Sequence, residues 1–335
     1  MKPASIVLIH KWYQWYLEYS ILQAKKFNPE SDIYLIGDDA NSFLWKKLGI
    51  NHIDIDSCLK SGKDFEKAYV HLSGNSYHYE LFCFQRWFIL KEIAERFNLE
   101  KIVYIDSDIL LYANVNEEFK RLSDLSSFQI AYVWTSWHTC YFTSQESINA
   151  FCNFIIVNYS SEDKIEYMRK FYKEYSKTNA TWWVSDMFIF WLYKKYWEGI
   201  LDIAEISNQS TYDLNFNCNC NSFDFWLIYP DLFPDYLHPP IIFEPFLNTK
   251  KTIFKNWLMY WKSAWNDQLI RLNTLHLQWF SKSYMKYFYN EQFILLKINI
   301  FMHYLIELIY NNFKVVRYLR KAYKSFYEKI IFKNK

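Results

Sequence analysis

The sequence predicts an α/β fold: a mostly parallel central sheet flanked by helices, with a helical tail at the C-terminus. Three observations carry this reading. Over the first 115 residues short apolar runs alternate with segments of helical period, the pattern of a parallel sheet with crossover helices. Runs such as "SIVLIH" and "KIVYI" are apolar almost throughout, as expected of strands covered on both faces. From Tyr284 onward the period is helical to the end of the chain.

Taken in order, Ser5 to His10 reads as a buried strand, Trp12 to Phe27 as an amphipathic helix, and Asp32 to Gly37 as a second strand ending in "GDDAN". A short helix, Phe43 to Leu48, leads to a third strand, Ile50 to Ile55. Tyr79 to Phe97 is a strong helix, and Lys101 to Ile105 is the strand after it. Past Val115 the pattern loosens, with a strand at Phe128 to Trp134, helices near Gln145 to Asn158, Glu162 to Ser176 and Trp183 to Tyr196, and a strand at Leu201 to Ile206. Gln209 to Pro245, rich in Asn, Asp and Pro, reads as loops with short strands, and Arg271 to Gln278 as one last strand. The expected organisation is a body over residues 1–282 and a basic amphipathic helical extension over 283–335.

Composition narrows the function. The formal charge is +2, but residues 283–335 hold ten Lys or Arg against three acids, net +7, which leaves 28 basic against 33 acidic residues before them, net −5. A mildly acidic body advertises no nucleic acid partner. The six cysteines are scattered and read as free thiols, which points to a reducing, cytoplasmic setting, and the apolar stretch near the N-terminus is too short for a signal peptide. Only five glycines occur, at 37, 49, 62, 74 and 199, too far apart for a glycine-rich phosphate cradle. Aromatic residues make up 22%, and the abundance of Ile, Asn and Lys beside them fits a compositional bias of the source genome better than a sugar-stacking surface.

The segment "KIVYIDSDILLYANV" places Asp106 and Asp108 where the apolar run ends. In an open parallel sheet that end is where ligands bind, and residues i and i+2 of an extended segment point the same way. Two carboxylates facing one crevice repel unless a cation lies between them or one takes a proton. Oxygen ligands suit Mg²⁺ or Mn²⁺, whose remaining positions are filled by water and substrate phosphates. The chain contains its own control in "NHIDIDS", where Asp54 and Asp56 alternate with Ile53 and Ile55 as on the wet face of an edge strand. From the residues alone the pair at 106 and 108 stands between a ligand site and a turn or helix cap.

A helix followed by "KIVYIDSD" resembles the glycosyltransferases of the GT-A fold, especially family 8 and related bacterial enzymes of lipopolysaccharide and capsule assembly. The resemblance spans roughly residues 5–282 and implies that the D-x-D segment, with Ser107 between its acids, holds a sugar nucleotide through a metal. Those families carry a late His-x-x-Gly-x-x-Lys motif, and "HLQWFSK" matches it with His276 as third metal ligand and Lys282 on the diphosphate. Trp279 replaces the glycine, a departure that bears on how closely the backbone approaches the phosphates. Read without the resemblance, His276 is one side chain on a strand face shared with Thr274 and Gln278. Arg86, set among apolar residues in "LFCFQRWFIL", needs an anion; it pairs either with a carboxylate distant in sequence or, as the resemblance implies, with the nucleotide or the D-x-D loop. Ser185 or Asp186 in "TWWVSDMFIFW" caps a helix by the plain reading, while the resemblance puts Asp186 on the acceptor side of the reaction centre, together with Asp213 and Asn215.

The expected activity is metal-dependent transfer of a sugar from a nucleoside diphosphate, UDP foremost, to a hydroxyl of a glycan or lipid-linked acceptor, with retention preferred over inversion. The rivals are a metal-dependent nucleotidyltransferase, disfavoured because "LIHKWYQWYLEYS" holds no basic or glycine-rich loop, and a non-catalytic carbohydrate-binding protein of the same fold. The tail mixes aromatic and aliphatic residues with Lys and Arg, and either lies peripherally on an anionic membrane surface or packs back on the body.

Overall fold

The computed structural model describes residues 2–133, 137–178, 184–204, 207, 209–216, 249–263 and 266–312. Strands β1 (Ser5–Ile9), β2 (Ile33–Gly37), β3 (Asn51–Asp54) and β4 (Ile102–Ile105) pair in parallel in the order β3-β2-β1-β4. They are joined by α1 (Trp15–Phe27), α2 (Leu44–Leu48), α3 (Lys60–Glu66) and the long α4 (Tyr77–Arg96). Beyond β4 the sheet continues through β7 (Thr139–Phe142), β6 (Ile130–Tyr132) and β8 (Ile200–Asp202); the contacts of β7 are antiparallel and that of β8 is parallel. The mostly parallel sheet predicted from the sequence is present, and β4, which carries the D-x-D segment, is internal to it. Every residue of β1 and β4 is buried, and a fully buried Ile or Leu stabilises the fold by roughly 1.5–3 kcal/mol. The strand ends that present the acids are therefore firmly anchored.

The control pair is exposed, as expected, but only Asp54 lies on the strand: β3 ends there, and Asp56 sits in a 3-10 turn over 55–58 that Asp54 caps. β3 is the sheet edge, Asp54 and Asp56 are exposed, and the Asp56 N–H donates to Asp54 Oδ1 at 3.1 Å. Helix α1 begins at Trp15 rather than Trp12, because Trp12 adopts φ 66° and donates its N–H to Asp38 Oδ2 at 2.7 Å. At the end of β2, Gly37 has no room for a side chain: a Cβ there would meet Asn41 Oδ1 at 2.0 Å. Asn41 ties the two loops together, donating to the carbonyls of His10 and Trp12.

Helix α5 (Val115–Leu125), absent from the sequence reading, is capped by Asn114, whose side chain accepts from Asn116 and Glu117 N–H. The helices expected near residues 145, 162 and 183 are α6 (Gln145–Tyr159), α7 (Glu162–Thr178) and α8 (Asp186–Tyr196). The strand expected over Arg271 to Gln278 is in fact two: β12 (Leu269–Leu272) and β13 (Thr274–His276). β12 belongs to a second sheet with β9 (Ser210–Thr211), β10 (Thr252–Lys255) and β11 (Leu258–Lys262), while β13 pairs antiparallel with β5 (Ile109–Leu111). Asn273 makes the break, since its N–H bonds to Thr211 and its carbonyl to Tyr112.

The tail begins as a 3-10 turn (Trp279–Tyr284), then α9 (Met285–Tyr289) and α10 (Phe293–Asn312). The division expected at residue 282 does not separate two cores, because Tyr284, Met285, Phe288, Leu296 and Ile300 share an apolar cluster with Leu275 and Leu277. The helical period expected beyond Asn312, the end of the strand expected at Trp134, the start of the helix expected at Trp183, Glu205 and Ile206 of the expected strand, and the loop region 217–248 lie outside the described residues. So does the side chain of Trp279.

Candidate active site

Asp106 follows the last residue of β4, and its N–H donates to the His138 carbonyl at 2.8 Å, which holds the chain extended as it leaves the sheet. Ser107, half-buried, turns the chain, and Asp108 leads into β5. Because β5 pairs with β13 with Ile109 opposite His276, the D-x-D segment and His276 become neighbours by strand register. The N–H of Leu277 donates to the Asp108 carbonyl at 3.0 Å, and Lys282 follows one turn later. The structure thus assembles Asp106, Asp108, His276 and Lys282.

Lys282 Nζ lies 3.0 Å from Asp108 Oδ2, and His276 Nε2 lies 3.7 Å from Asp108 Oδ1. The ring of His276 is fixed from behind, where Nδ1–H donates to the Leu214 carbonyl at 2.7 Å. In the neutral ring this leaves the Nε2 lone pair facing the Asp108 carboxylate, an arrangement that repels unless a proton or a cation sits between them. Two ligands on one ion with bonds of about 2.1 Å stand about 3–4 Å apart, so the pair fits a divalent cation. Histidine ligands are usually oriented through the other ring nitrogen in this way. Among the described residues no three His, Cys, Asp or Glu side chains are gathered tightly enough to hold an ion by themselves. The reason is Asp106, whose Oδ1 is taken by Arg86 Nη1 at 3.0 Å and by the Tyr104 hydroxyl. As it stands, the site offers two protein ligands, with Asp106 turned toward Arg86.

Arg86 finds two anions. Besides Asp106 it donates through Nε and Nη2 to Asp186 Oδ2, at 3.2 and 2.6 Å, and Trp87 Nε1 donates to the same oxygen at 3.0 Å. Its partners are the carboxylates distant in sequence; Glu80, the acid nearest along the helix, instead accepts from Ser73 and Asn75. This placement changes the reading of Asp186. Its side chain is 3% exposed and its Oδ2 is committed to Arg86 and Trp87, so it anchors the guanidinium that anchors Asp106. Asp213 is likewise withdrawn. It is fully buried, paired through Oδ1 with Lys250, and accepts the His276 N–H on Oδ2 at 3.0 Å. A carboxylate so enclosed fixes the backbone of His276 instead of facing an open acceptor side, contrary to the expectation for this residue. Asn215 donates to Gln278 Oε1 at 2.5 Å and lies beside the segment that leads to Lys282.

The electrostatics follow from this packing. Burial pushes the Asp106 carboxyl up, Asp108 adds to it, and Arg86 opposes both. Burial works against the Lys282 ammonium, but Asp108 and Tyr16 outweigh it and its pKa is raised. The Arg86 guanidinium is held well above its ordinary value because Asp186, Tyr104 and Asp106 overcome its burial. His138, whose ring lies 4.2 Å from that of His276, is buried and pushed well below its ordinary value. Its Nε2–H donates to the Asp213 carbonyl at 2.8 Å, a third tie on the residues behind His276.

Sequence reasoning missed Tyr104, Lys250, His138 and His10. Tyr104 had a signal, because it lies two residues before Asp106 on the same strand face. His10 had one too, at the carboxyl end of β1. Its Nε2 is buried with no hydrogen-bond partner among the described residues, and burial followed by the Lys282 charge brings it down to about 4. Lys250 and His138 had none, since each reaches the site only through tertiary packing.

No family model matches the chain, and no curated protein matches it in sequence. In structure it is similar to mouse xyloside xylosyltransferase 1, with a TM-score of 0.48 at 10% identity over 70% of this chain and 94% of that one. It is also similar to the glycosyltransferase GlyE of Streptococcus pneumoniae, with a TM-score of 0.40 at 14% identity over 88% of this chain and 64% of that one. A third similarity is to the galactosyltransferase LgtC crystallised with donor and acceptor sugar analogues, with a TM-score of 0.38 at 15% identity over 70% and 84%.

Proposed function

We propose that this protein transfers a sugar from a nucleoside diphosphate, UDP foremost, to a hydroxyl of a glycan or lipid-linked acceptor. The observation that carries the proposal is the Asp108–His276–Lys282 cluster at the end of a buried parallel strand, where a carboxylate, an oriented imidazole lone pair and an ammonium face one another. That donor set accepts a divalent cation such as Mn²⁺ or Mg²⁺ on Asp108 and His276, with Asp106 available on release from Arg86. The ion, when bound, neutralises a leaving diphosphate.

In the transfer the bond between the anomeric carbon and the diphosphate oxygen breaks, and its electron pair leaves with the diphosphate. The acceptor oxygen bonds to that carbon and loses its proton. Lys282 is placed to exchange Asp108 for a phosphate oxygen and so to stabilise the departing charge. Arg86, held by Asp186, keeps Asp106 from swinging free and adds positive charge beside the same strand end. Ser107 exposes the turn between the two acids to the diphosphate, and Asn215 with Gln278 flanks the acceptor side. Asp186, committed to Arg86 and Trp87, is not placed among the described residues to act as the base for inversion. Retention, in which a leaving phosphate oxygen takes the acceptor proton, is the better fit.

Calorimetric titration with UDP, with and without Mn²⁺, tests the proposal. Binding that requires Mn²⁺ and is lost in Asp108→Ala is the expected result. Metal-independent binding, or binding unchanged by that substitution, would sink it.

A further inference from the structure

Among the described residues Trp137 is the one fully buried non-glycine residue with a positive φ, 52° at 1% exposure. A bulky side chain in that region is a backbone outlier, and such strain persists only where the surrounding structure over-determines it. Here the surroundings are aromatic. The indole lies between Tyr132 and Phe190, stacked on both with ring centroids 3.8 and 3.3 Å away, and Phe151 stacks on the far side of Phe190 at 3.6 Å. The Trp137 N–H donates to the Val133 carbonyl at 3.1 Å, and its own carbonyl accepts from the Cys140 thiol.

Both sides of this residue lead to the site. Phe190 stands one turn after Asp186 on α8, and its ring meets that of Trp87, which donates to the same aspartate. His138, the residue after Trp137, reaches the other half: its carbonyl accepts the Asp106 N–H, its Nε2–H donates to the Asp213 carbonyl, and its ring lies 4.2 Å from that of His276. The backbone of Trp137 sets the direction in which the planar peptide to His138 leaves. A rotation there would move the carbonyl that holds Asp106 and the ring beside His276 together.

We propose that Trp137 is a positioning residue: clamped between Tyr132 and Phe190, it fixes His138 and through it holds Asp106 in register with His276. A site whose supporting layer is loose loses the placement that binding requires, and this clamp supplies part of that layer. The alternative is that the indole merely fills the core, in which case one ring of the stack matters to the site no more than another. The clamp on His138 stands on packing alone; its bearing on cation and nucleotide binding rests on the sugar-transfer reading.

The test removes rings from different places in one stack. Trp137→Leu and Phe151→Leu each delete a stacked ring, but of the two only Trp137 adjoins His138. Hydrogen exchange followed by NMR in the metal-free full chain compares the Asp106 amide with that of Val103 in β4, so a general loss of stability, which speeds both, cancels. The ratio should rise at least about tenfold in Trp137→Leu and stay within about twofold of wild type in Phe151→Leu. Mn²⁺ affinity by electron paramagnetic resonance should fall about tenfold in the first variant and hold in the second, the size expected for a group behind a metal ligand. Trp137→Phe, which keeps a ring in the clamp, should leave both readings near wild type. Should Trp137→Leu not fold, Tyr132→Leu removes the other jaw of the clamp and is held to the same expectation. Equal exchange ratios in the two stack variants, or a Trp137→Phe that behaves as Trp137→Leu, overturns the proposal. A wild type that binds no Mn²⁺ removes the sugar-transfer reading instead, and the exchange ratio still decides the clamp.

Discussion

The ion pair behind His276 gives the sharpest test of how the site is held. Asp213 is fully buried and Lys250 is 2% exposed, and the same carboxylate accepts the His276 N–H. Breaking a buried pair from one side costs about 3–5 kcal/mol, because the remaining charge is stranded. An orphaned buried N–H adds about 1–3 kcal/mol. Asp213→Ala incurs both, a sum comparable to the roughly 5–15 kcal/mol that holds a whole domain together, so it should fail to accumulate as folded protein. The informative pair is Asp213→Asn and Lys250→Met. The asparagine keeps an oxygen for the His276 N–H but strands the ammonium; the methionine strands the carboxylate. Each single variant should lose about 3 kcal/mol or more, while the double variant, with no buried charge, should return to within about 1–2 kcal/mol of wild type. Urea unfolding at pH 7, with m held constant across the four proteins, measures the cycle. Single effects that simply add would mean that the two groups are not an ion pair and that His276 is held by other means.

Two further outcomes rest on single groups. Tyr104→Phe removes a hydroxyl that donates to Asp106 Oδ1. With Arg86 that hydroxyl turns Asp106 away from the ion, and a hydrogen bond to a charged group is worth about 1.5–3 kcal/mol, so Mn²⁺-dependent UDP affinity measured by calorimetry should rise, by up to about tenfold, while the circular dichroism spectrum stays unchanged; a fall would refute this. Glu80 is 1% exposed, and burial raises its pKa from 4.5 to about 6. Between those values the folded chain keeps a proton that the unfolded chain has released, so stability falls as pH rises through that window; above it the penalty is complete, at roughly 2 kcal/mol. Glu80→Gln removes this dependence, and the difference between variant and wild-type urea midpoints should therefore grow from pH 4.5 to pH 7. A constant difference would refute the assignment.

Strands β1, β2 and β4 were legible because each buries a continuous apolar run, and that burial leaves little choice of structure; the half-exposed edge strand β3 was read from its alternation instead. Helix α5 had a readable signal, Asn114 with Glu117 three residues on, the pattern of an N-cap. The hairpin of β10 and β11 was hidden by its turn. Asn256 and Trp257 both take positive φ, 52° and 66°, as a two-residue hairpin turn requires, but a tryptophan stands where the familiar signal has glycine. At the site, the D-x-D pair could be read from strand logic, and His276 and Lys282 from a family resemblance. The supporting layer could not be read from sequence. The links of Arg86 with Asp186 and of Lys250 with Asp213 join residues far apart in the chain, and no local pattern encodes a tertiary pairing.

In this structure the like charges of Asp106 and Asp108 are balanced from two directions: Arg86 takes one acid and Lys282 the other. The two cations are not equivalent. Arg86 is locked by its neighbours Asp186 and Trp87 and is 13% exposed, whereas Lys282 is 30% exposed on a flexible stem beside Tyr16. If Lys282 is the group that changes partner when nucleotide arrives, it must compete with a divalent ion for Asp108 before nucleotide arrives and favour the diphosphate afterwards. Lys282→Met should then move two affinities in opposite directions. Mn²⁺ binding without nucleotide, followed by electron paramagnetic resonance, should strengthen by about three- to tenfold, since repulsion between neighbouring cations at a partly exposed site amounts to roughly 1 kcal/mol after screening. UDP binding at saturating Mn²⁺ should weaken by about tenfold for the lost charge-assisted contact. A substitution that merely loosened the 3-10 turn would lower both together, and that result would refute the exchange.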